Sequence, residues 1–239
     1  MKVTKMINNQ TIGKMNLVTS VRNFINWRLL KQKICDKLTM FPTQQLMLET
    51  YVIDKNGKVR DHKKGKAHSY TIQWLQHIEV MSNHSYGVNG GTVYIRNSSN
   101  VLEAEFCSQA QNGNFGFAAP STNTNYGILV GTGTTAVACS DYKMQTLIAN
   151  GSASGQLNYS ATVVIGATNA GTTCSLAVTR AVSNASGADV TIQEIGLMCE
   201  TYMQNGLTYY LLIHDLATQT LHNGDTYLII YTMQTSISS

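Results

Sequence analysis

The run Cys174-Ser-Leu-Ala-Val-Thr-Arg-Ala-Val-Ser183, followed by Asn184-Ala-Ser-Gly187 and then Val190-Thr-Ile-Gln-Glu-Ile-Gly-Leu197, decides the fold class. Successive side chains of a strand point to opposite faces, so Cys174, Leu176, Val178, Arg180 and Val182 share one face and Ser175, Ala177, Thr179, Ala181 and Ser183 the other. Asn-Ala-Ser-Gly is turn chemistry, and Val190, Ile192 and Glu194 resume the alternation behind it. Further along, Tyr209 to Ile213 and Tyr227 to Tyr231 are apolar on both sides of the pleat, as in strands buried in a sandwich core or beneath subunit contacts. Asn223-Gly-Asp225 before Thr226 adds a hairpin turn. With strands recurring at roughly 8 to 12 residues or somewhat more and only 2 prolines in the chain, the expectation is a mainly β protein. Its architecture reads as an antiparallel β-sandwich, jelly-roll-like or immunoglobulin-like.

Upstream the texture differs. Thr92 to Arg96 and Val101 to Phe106 flank Asn97-Ser-Ser-Asn100 in a hairpin-like arrangement, and residues 107–126 form a long polar stretch that reads as an exposed surface loop. Leu46 to Asp54 reads as a strand. Lys55-Asn-Gly-Lys58 fits a type I′ turn, with Val59 onward returning antiparallel, and Arg60-Asp-His-Lys-Lys-Gly-Lys66 reads as a basic loop without an apolar anchor. Ser69 to Ser82 predicts a helix capped by Ser69, with Ile72, Leu75, Ile78 and also Trp74 and Met81 on its apolar side. An earlier helix is expected over residues 21–38. There Val21, Phe24, Ile25, Trp27, Leu30, Ile34 and Leu38 recur at helical spacing, while Arg22, Arg28, Lys31 and Lys33 fill the rest. The chain thus divides into a basic region with one or two helices and a hairpin, residues 1–86, and a β-sandwich body, residues 87–239.

Charge supports this division. Residues 1–74 carry 14 Lys/Arg against 4 Asp/Glu, and residues 75–239 carry 3 against 9, within a net charge of +4. Such asymmetry points to a charged partner, an acidic surface or nucleic acid at the basic end, or to the basic end of one copy meeting the acidic body of another. Charged residues are only 13% of the chain, whereas Ser, Thr and Asn together number 65, so the surface is built of hydroxyls and amides. The 5 cysteines (Cys35, Cys107, Cys139, Cys174, Cys199) are widely spaced without CxxC or a Cys/His cluster and read as mostly buried thiols. Met1-Lys-Val-Thr-Lys-Met6 lacks the apolar core of a secretory signal, and no apolar run approaches a membrane span.

Six stretches in the body carry a resemblance. They are Gly127-Ile-Leu-Val-Gly131-Thr-Gly-Thr-Thr135, Asp141-Tyr-Lys-Met144, Gly155-Gln-Leu-Asn-Tyr159, Ile192-Gln-Glu-Ile-Gly-Leu197, Leu211-Leu-Ile-His-Asp-Leu216, and Asn223-Gly-Asp-Thr226 leading into Tyr231-Thr. In order and spacing they resemble a recurrent pattern among structural proteins of tailed bacteriophages and related viruses. Asp54-Lys-Asn-Gly-Lys-Val59 and the segment Ser69 to Ser82 look like the hairpin and helix that often precede it. The resemblance covers about residues 46–239. It implies a β-rich virion component of the head-decoration, collar or tail-associated type, with no associated enzyme activity. One departure is His214, where the pattern usually has Arg before the Asp.

Other chemistry has little support in the residues. Gly131-Thr-Gly-Thr-Thr-Ala136 lacks the Lys-Ser/Thr of a phosphate loop, and residues 131 and 133 instead permit a tight backbone path. His214 and Asp215, as strand neighbours, face opposite ways, and no GxSxG elbow accompanies them. His62, His68, His77, His84 and His222 show no ligand spacing. Arg180 and Glu194 either meet as a buried pair or are two exposed side chains that never meet. Tyr202, Tyr209, Tyr210, Tyr227 and Tyr231 read first as core or subunit contact and second as a glycan platform.

The expectation is therefore a non-enzymatic structural subunit of a virion, assembled in the host cytoplasm, with no catalytic, cofactor or metal residues. Its partners are further copies of itself and other virion proteins, docked through Arg22, Arg28, Lys31, Lys33, Arg60, Lys63, Lys64 and Lys66. The alternative is a receptor-binding or glycan-binding module using the loop 107–126 against a host surface glycan. Nucleic acid is disfavoured for want of a recognised motif, and no membrane is involved.

Overall fold

In the computed structural model, which describes residues 43–67, 69–83, 93–105, 116–203 and 206–236, the alternation that decides the fold is realised: Val178, Arg180 and Val182 are buried in succession. The strands are β1 (Thr43–Ile53), β2 (Val59–Lys66), β3 (Ser69–Tyr70), β4 (Val93–Arg96), β5 (Leu102–Glu105) and β6 (Gly127–Gly131). They continue as β7 (Asn158–Tyr159), β8 (Val163–Ala170), β9 (Thr173–Ser183), β10 (Val190–Met203), β11 (Gly206–Leu221) and β12 (Thr226–Ser236). A single helix among the described residues, α1, spans Ile72–Asn83. One sheet has the order β2-β1-β12-β9-β7, with β8 also on β9; a second has the order β3-β11-β10-β6; and β4-β5 stand as a separate hairpin. One hydrophobic cluster runs through Val52, Val178, Ile195, Leu197, Ile213 and Tyr231, among others. The molecule is mainly β, with antiparallel sheets in sandwich-like packing. Contacts gather Gln44–Thr235 into one compact unit, in which β1 from the basic region lies beside β12 from the end of the body.

The doubly apolar run is explained by cover on both sides. Tyr210, Leu211, Leu212 and Ile213 are fully buried in β11. Asp215 on this strand accepts a hydrogen bond of 2.8 Å from the Tyr231 hydroxyl of β12. On the other face, the His77 ring of α1 meets Tyr210 edge-on. Tyr210, Tyr227 and Tyr231 are core residues, as expected, while Tyr209 is half-buried.

Several local readings are corrected. The segment Arg60 to Lys66 is a strand, β2, paired with β1 from Met47↔Lys66 to Tyr51↔His62. Its cations need no apolar anchor, because an edge strand can keep its side chains in water while its backbone is paired. The turn is a three-residue loop. Gly57 N–H donates to Asp54 O and only Gly57 has positive φ, the signature of a type I turn closed by a glycine bulge. Helix α1 starts at Ile72, because Ser69 is engaged in pairing with His214 of β11. Its buried face is Gln73 and His77, while Ile72 and Leu75 are 44% and 60% exposed. The glutamines are turned inward because Gln73 and Gln76 donate to the carbonyls of Arg96 and Tyr94 on β4, which would otherwise lack donors. The thiols divide: Cys199 is buried, whereas Cys139 and Cys174 are exposed. The polar stretch before Tyr126 is pinned where described, with Phe117 and Ala119 buried and Gly116 bridged to Glu200. The expected helix over 21–38 lies outside the described residues.

Arg180 is 1% exposed and has no carboxylate partner among the described residues. Its guanidinium donates to Ser160 O (2.8 Å), Ile128 O (3.0 Å), Tyr126 O (3.3 Å), Asn123 O (2.6 Å) and Pro120 O (3.3 Å), and lies 4.7 Å from the Tyr159 ring centroid. Burial draws its pKa down to about 10, against the pull of Tyr159 and Tyr126, so it stays a cation at neutral pH. One planar group with five N–H donors thereby fixes the approach to β6 onto β9. An ammonium on a flexible stem cannot reproduce that fan. Arg180→Lys is expected to lower stability by about 3 kcal/mol, seen as a shifted midpoint in urea unfolding; an unchanged midpoint would contradict the role.

Candidate functional site

Of the sequence-predicted docking residues, Arg60, Lys63, Lys64 and Lys66 lie together on β2, and Arg22, Arg28, Lys31 and Lys33 lie outside the described residues. Most of the β2 cations have work inside the fold. Arg60 Nη2 is 2.5 Å from Asp225 Oδ2 and 3.1 Å from Thr220 O, and Lys63 Nζ is 3.3 Å from Thr218 O and 3.1 Å from Gln219 Oε1. These groups cap carbonyls of β11 from across the sandwich. Lys64 pairs with Glu49 at 3.0 Å, and His62, stacked on Tyr51, lies 2.9 Å from the same carboxylate. Hydrogen bonds from Tyr51, Lys64 and His62 hold the Glu49 pKa down at about 2. Lys66 alone of the four has no partner among the described residues. A groove of about 230 Å³ opens between Lys63, Lys64 and Lys66 on one side and Leu216 and Tyr227 on the other.

A second constellation was not legible as a unit. Glu194 and His214 are both fully buried, and neither pairs with Arg180. Glu194 Oε1 accepts the backbone N–H groups of Gly133 (3.0 Å) and Thr146 (2.7 Å); Oε2 accepts that of Gln145 (3.0 Å) and faces His214 Nε2 at 2.9 Å. His214 Nδ1 is 2.7 Å from Asp141 Oδ2, which accepts the N–H of Ala138. Three of the six stretches, those holding residues 141–144, 192–197 and 211–216, thus meet at one imidazole, and a fourth, holding residues 131–135, joins them at the Glu194 carboxylate. The glycines are explained by the same contact. A Cβ at Gly131 would run into the Glu194 carboxylate, and one at Gly133 would lie 2.6 Å from Glu194 Oε1. The signal in the sequence was the spacing of these stretches; what it hid was that His214 lies between two carboxylates.

Both imidazole nitrogens face carboxylates, so the group acts as a clamp between β10, β11 and the 131–147 segment. Burial raises the Glu194 pKa, but the bonds from His214 and the three N–H groups outweigh it and the net shift is downward. Burial likewise lowers that of His214, but Glu194 and Asp141 outweigh it and the net shift is upward. Among the described residues no group of three or more His, Cys, Asp or Glu side chains is placed to hold a metal ion, and no helix is long and apolar enough to cross a membrane.

The third feature is an edge. All eight residues of β8 are exposed, with Val163, Val164 and Ile165 at 53%, 39% and 48%. Its partner is β9, along Val163↔Thr179 to Ala170↔Thr173, and its outer edge has no strand beside it among the described residues. The surrounding sequence from Met144 to Thr179 contains no Asp, Glu, Lys, Arg, His or Pro. No family model, curated protein or solved structure matches the chain.

The clamp has a pH signature. The His214 share of stability is present below its unfolded pKa of 6.5 and is lost as pH rises through its raised folded value. The Glu194 share is present above 4.5 and is lost as pH falls through its lowered folded value. Stability from this cluster therefore peaks between 4.5 and 6.5. Glu194→Gln is expected to cost about 3 kcal/mol and to flatten the difference between unfolding midpoints measured at about pH 5.5 and about pH 8.5. An undiminished difference in the variant would place its source elsewhere.

Proposed function

We propose that the chain is a non-enzymatic structural subunit of a tailed-phage virion, at the neck, collar, tail or capsid exterior, and that it assembles as a homo-oligomer through the free edge of β8. The carrying observation is the contrast between the two ends of one sheet. Edge strands present unpaired N–H and C=O groups and are normally guarded by charge, proline or cover. β2 is guarded: its Arg60, Lys63, Lys64 and Lys66 would set lysine against lysine in any edge-to-edge pairing. β8 has none of these guards and exposes a valine pair and an isoleucine. An uncharged strand offers nothing to an oppositely charged partner, but two copies of it satisfy one another's backbone groups and cover one another's side chains.

The resemblance of the six stretches to virion proteins supports placing this assembly in a particle, with the basic region, Arg22, Arg28, Lys31 and Lys33 included, turned to a more acidic neighbour. A receptor-binding module of the same particle is the second reading, favoured by a cleft beside Tyr209. Sedimentation tests the first. The wild-type chain is expected to run as an oligomer that persists at about 0.5 M salt, where charge pairing is largely screened. Ile165→Lys is expected to run as a monomer with an unchanged circular dichroism spectrum. Equal masses for the two proteins, or absence of the chain from purified particles probed by mass spectrometry, would refute the proposal.

A further inference from the structure

On the flank of the second sheet, a cleft of about 170 Å³ opens between the turn of the β4-β5 hairpin, the loop before β6 and the 131–147 segment. Buried side chains, Leu129, Met144 and Met198, line its apolar part. Tyr209 stands at its wall, held in orientation by stacking on Tyr126 at 15° with 6.0 Å between centroids. Ser98, Thr124, Asn125 and Lys143 supply its polar groups. Among the described residues the side chains of Ser98, Thr124 and Asn125 have no hydrogen-bond partner, and the Lys143 ammonium has only the Tyr142 ring, 5.8 Å away. The arrangement is built. Glu194 fixes the N–H groups of Gln145 and Thr146, directly after Lys143 and Met144, so the buried clamp sets one wall of the cleft. Ser98 N–H donates to Tyr209 O at 2.9 Å, which ties the hairpin turn to the aromatic wall.

We infer that this cleft binds one pyranose ring carrying a carboxylate, as at the end of an acidic surface glycan. A sugar ring has an apolar C–H face and a perimeter of hydroxyls that donate and accept. An apolar and aromatic surface takes the former, while two hydroxyls and an amide, each able to donate and accept, take the latter. The volume is of the order of a single sugar ring. Lys143, the one cation among the described residues lining the cleft, selects a sugar with a negative substituent. This site does not depend on assembly through β8, which lies outside it.

The test uses the full chain with methyl-labelled methionine, the signals of Met144 and Met198 being assigned through Met144→Leu and Met198→Leu. Glucuronate, glucose, galactose and N-acetylglucosamine are titrated to about 50 mM, the range in which a single-ring ligand binds a shallow site. The expected result is a saturable shift of both methyl signals with glucuronate and binding about tenfold weaker with glucose. The affinity for glucuronate should fall about tenfold in Asn125→Ala, and Lys143→Gln should bring glucuronate and glucose level. Ile165→Lys should leave the titration unchanged, which separates failure of this site from failure of assembly. No saturable shift with any sugar, shifts indifferent to Asn125→Ala, or glucose bound as tightly as glucuronate by the wild-type chain would overturn the inference.

Discussion

A carboxylate with no access to water must be surrounded by donors, and the second sheet is arranged around that demand at Glu194. Three backbone N–H groups and an imidazole converge on its two oxygens. Meeting the demand requires the chain between β6 and β7 to fold back over β10, requires glycine at 131 and 133 so that the backbone can come close, and requires a side-chain donor at 214. An unpaired buried charge costs several kcal/mol, whereas a fully satisfied one can be near neutral and still admit only one arrangement. The effect is specificity: the long irregular segment from Thr132 to Leu157 has one place to go.

The first sheet handles its buried charge differently. Arg180 sits on β9 among carbonyl dipoles and one aromatic face, with no anion beside it among the described residues. Two ionisable residues that sequence spacing could have joined are kept on separate duties, one organising the chain before β6 and one the chain after it. Between them they hold β6 at both ends, which is why all five residues from Gly127 to Gly131 are buried.

Alternation and turn chemistry made the sandwich legible, because burial on one face of a strand leaves a period of two that no other element shares. Val178, Arg180 and Val182 share one face by their alternation, as do Val190, Ile192 and Glu194, and all six are buried; Arg180 and Glu194, which the sequence left either as a buried pair or as exposed, are buried without meeting. The pattern failed where the backbone rather than the side chain decides. β2 has no apolar member facing the core and so read as a loop; its strand character comes from pairing with β1. Ile72 and Leu75 read as the apolar side of α1 yet are exposed, while Gln73 is buried and Gln73 and Gln76 donate to carbonyls of β4. Cys174 shares the face of Val178 and Val182 by parity but lies where the β8-β9 hairpin has left the core. The candidate sites were legible as short stretches and not as contacts. Asp141, Glu194 and His214 each lie in a separate stretch, and only the fold shows that they touch.

The joint between β2 and the free edge of β11 has a consequence for behaviour in different media. Arg60–Asp225 is reached by solvent on the arginine side, with 35% of that side chain accessible, so dissolved ions compete with it. The hairpin flank opposite, uncharged throughout, gives ions nothing to compete for, and salts that are excluded from apolar surface draw it more tightly against whatever covers it. A rise in salinity therefore acts on this sheet like a lever with a fixed fulcrum: it slackens one margin while tightening the other.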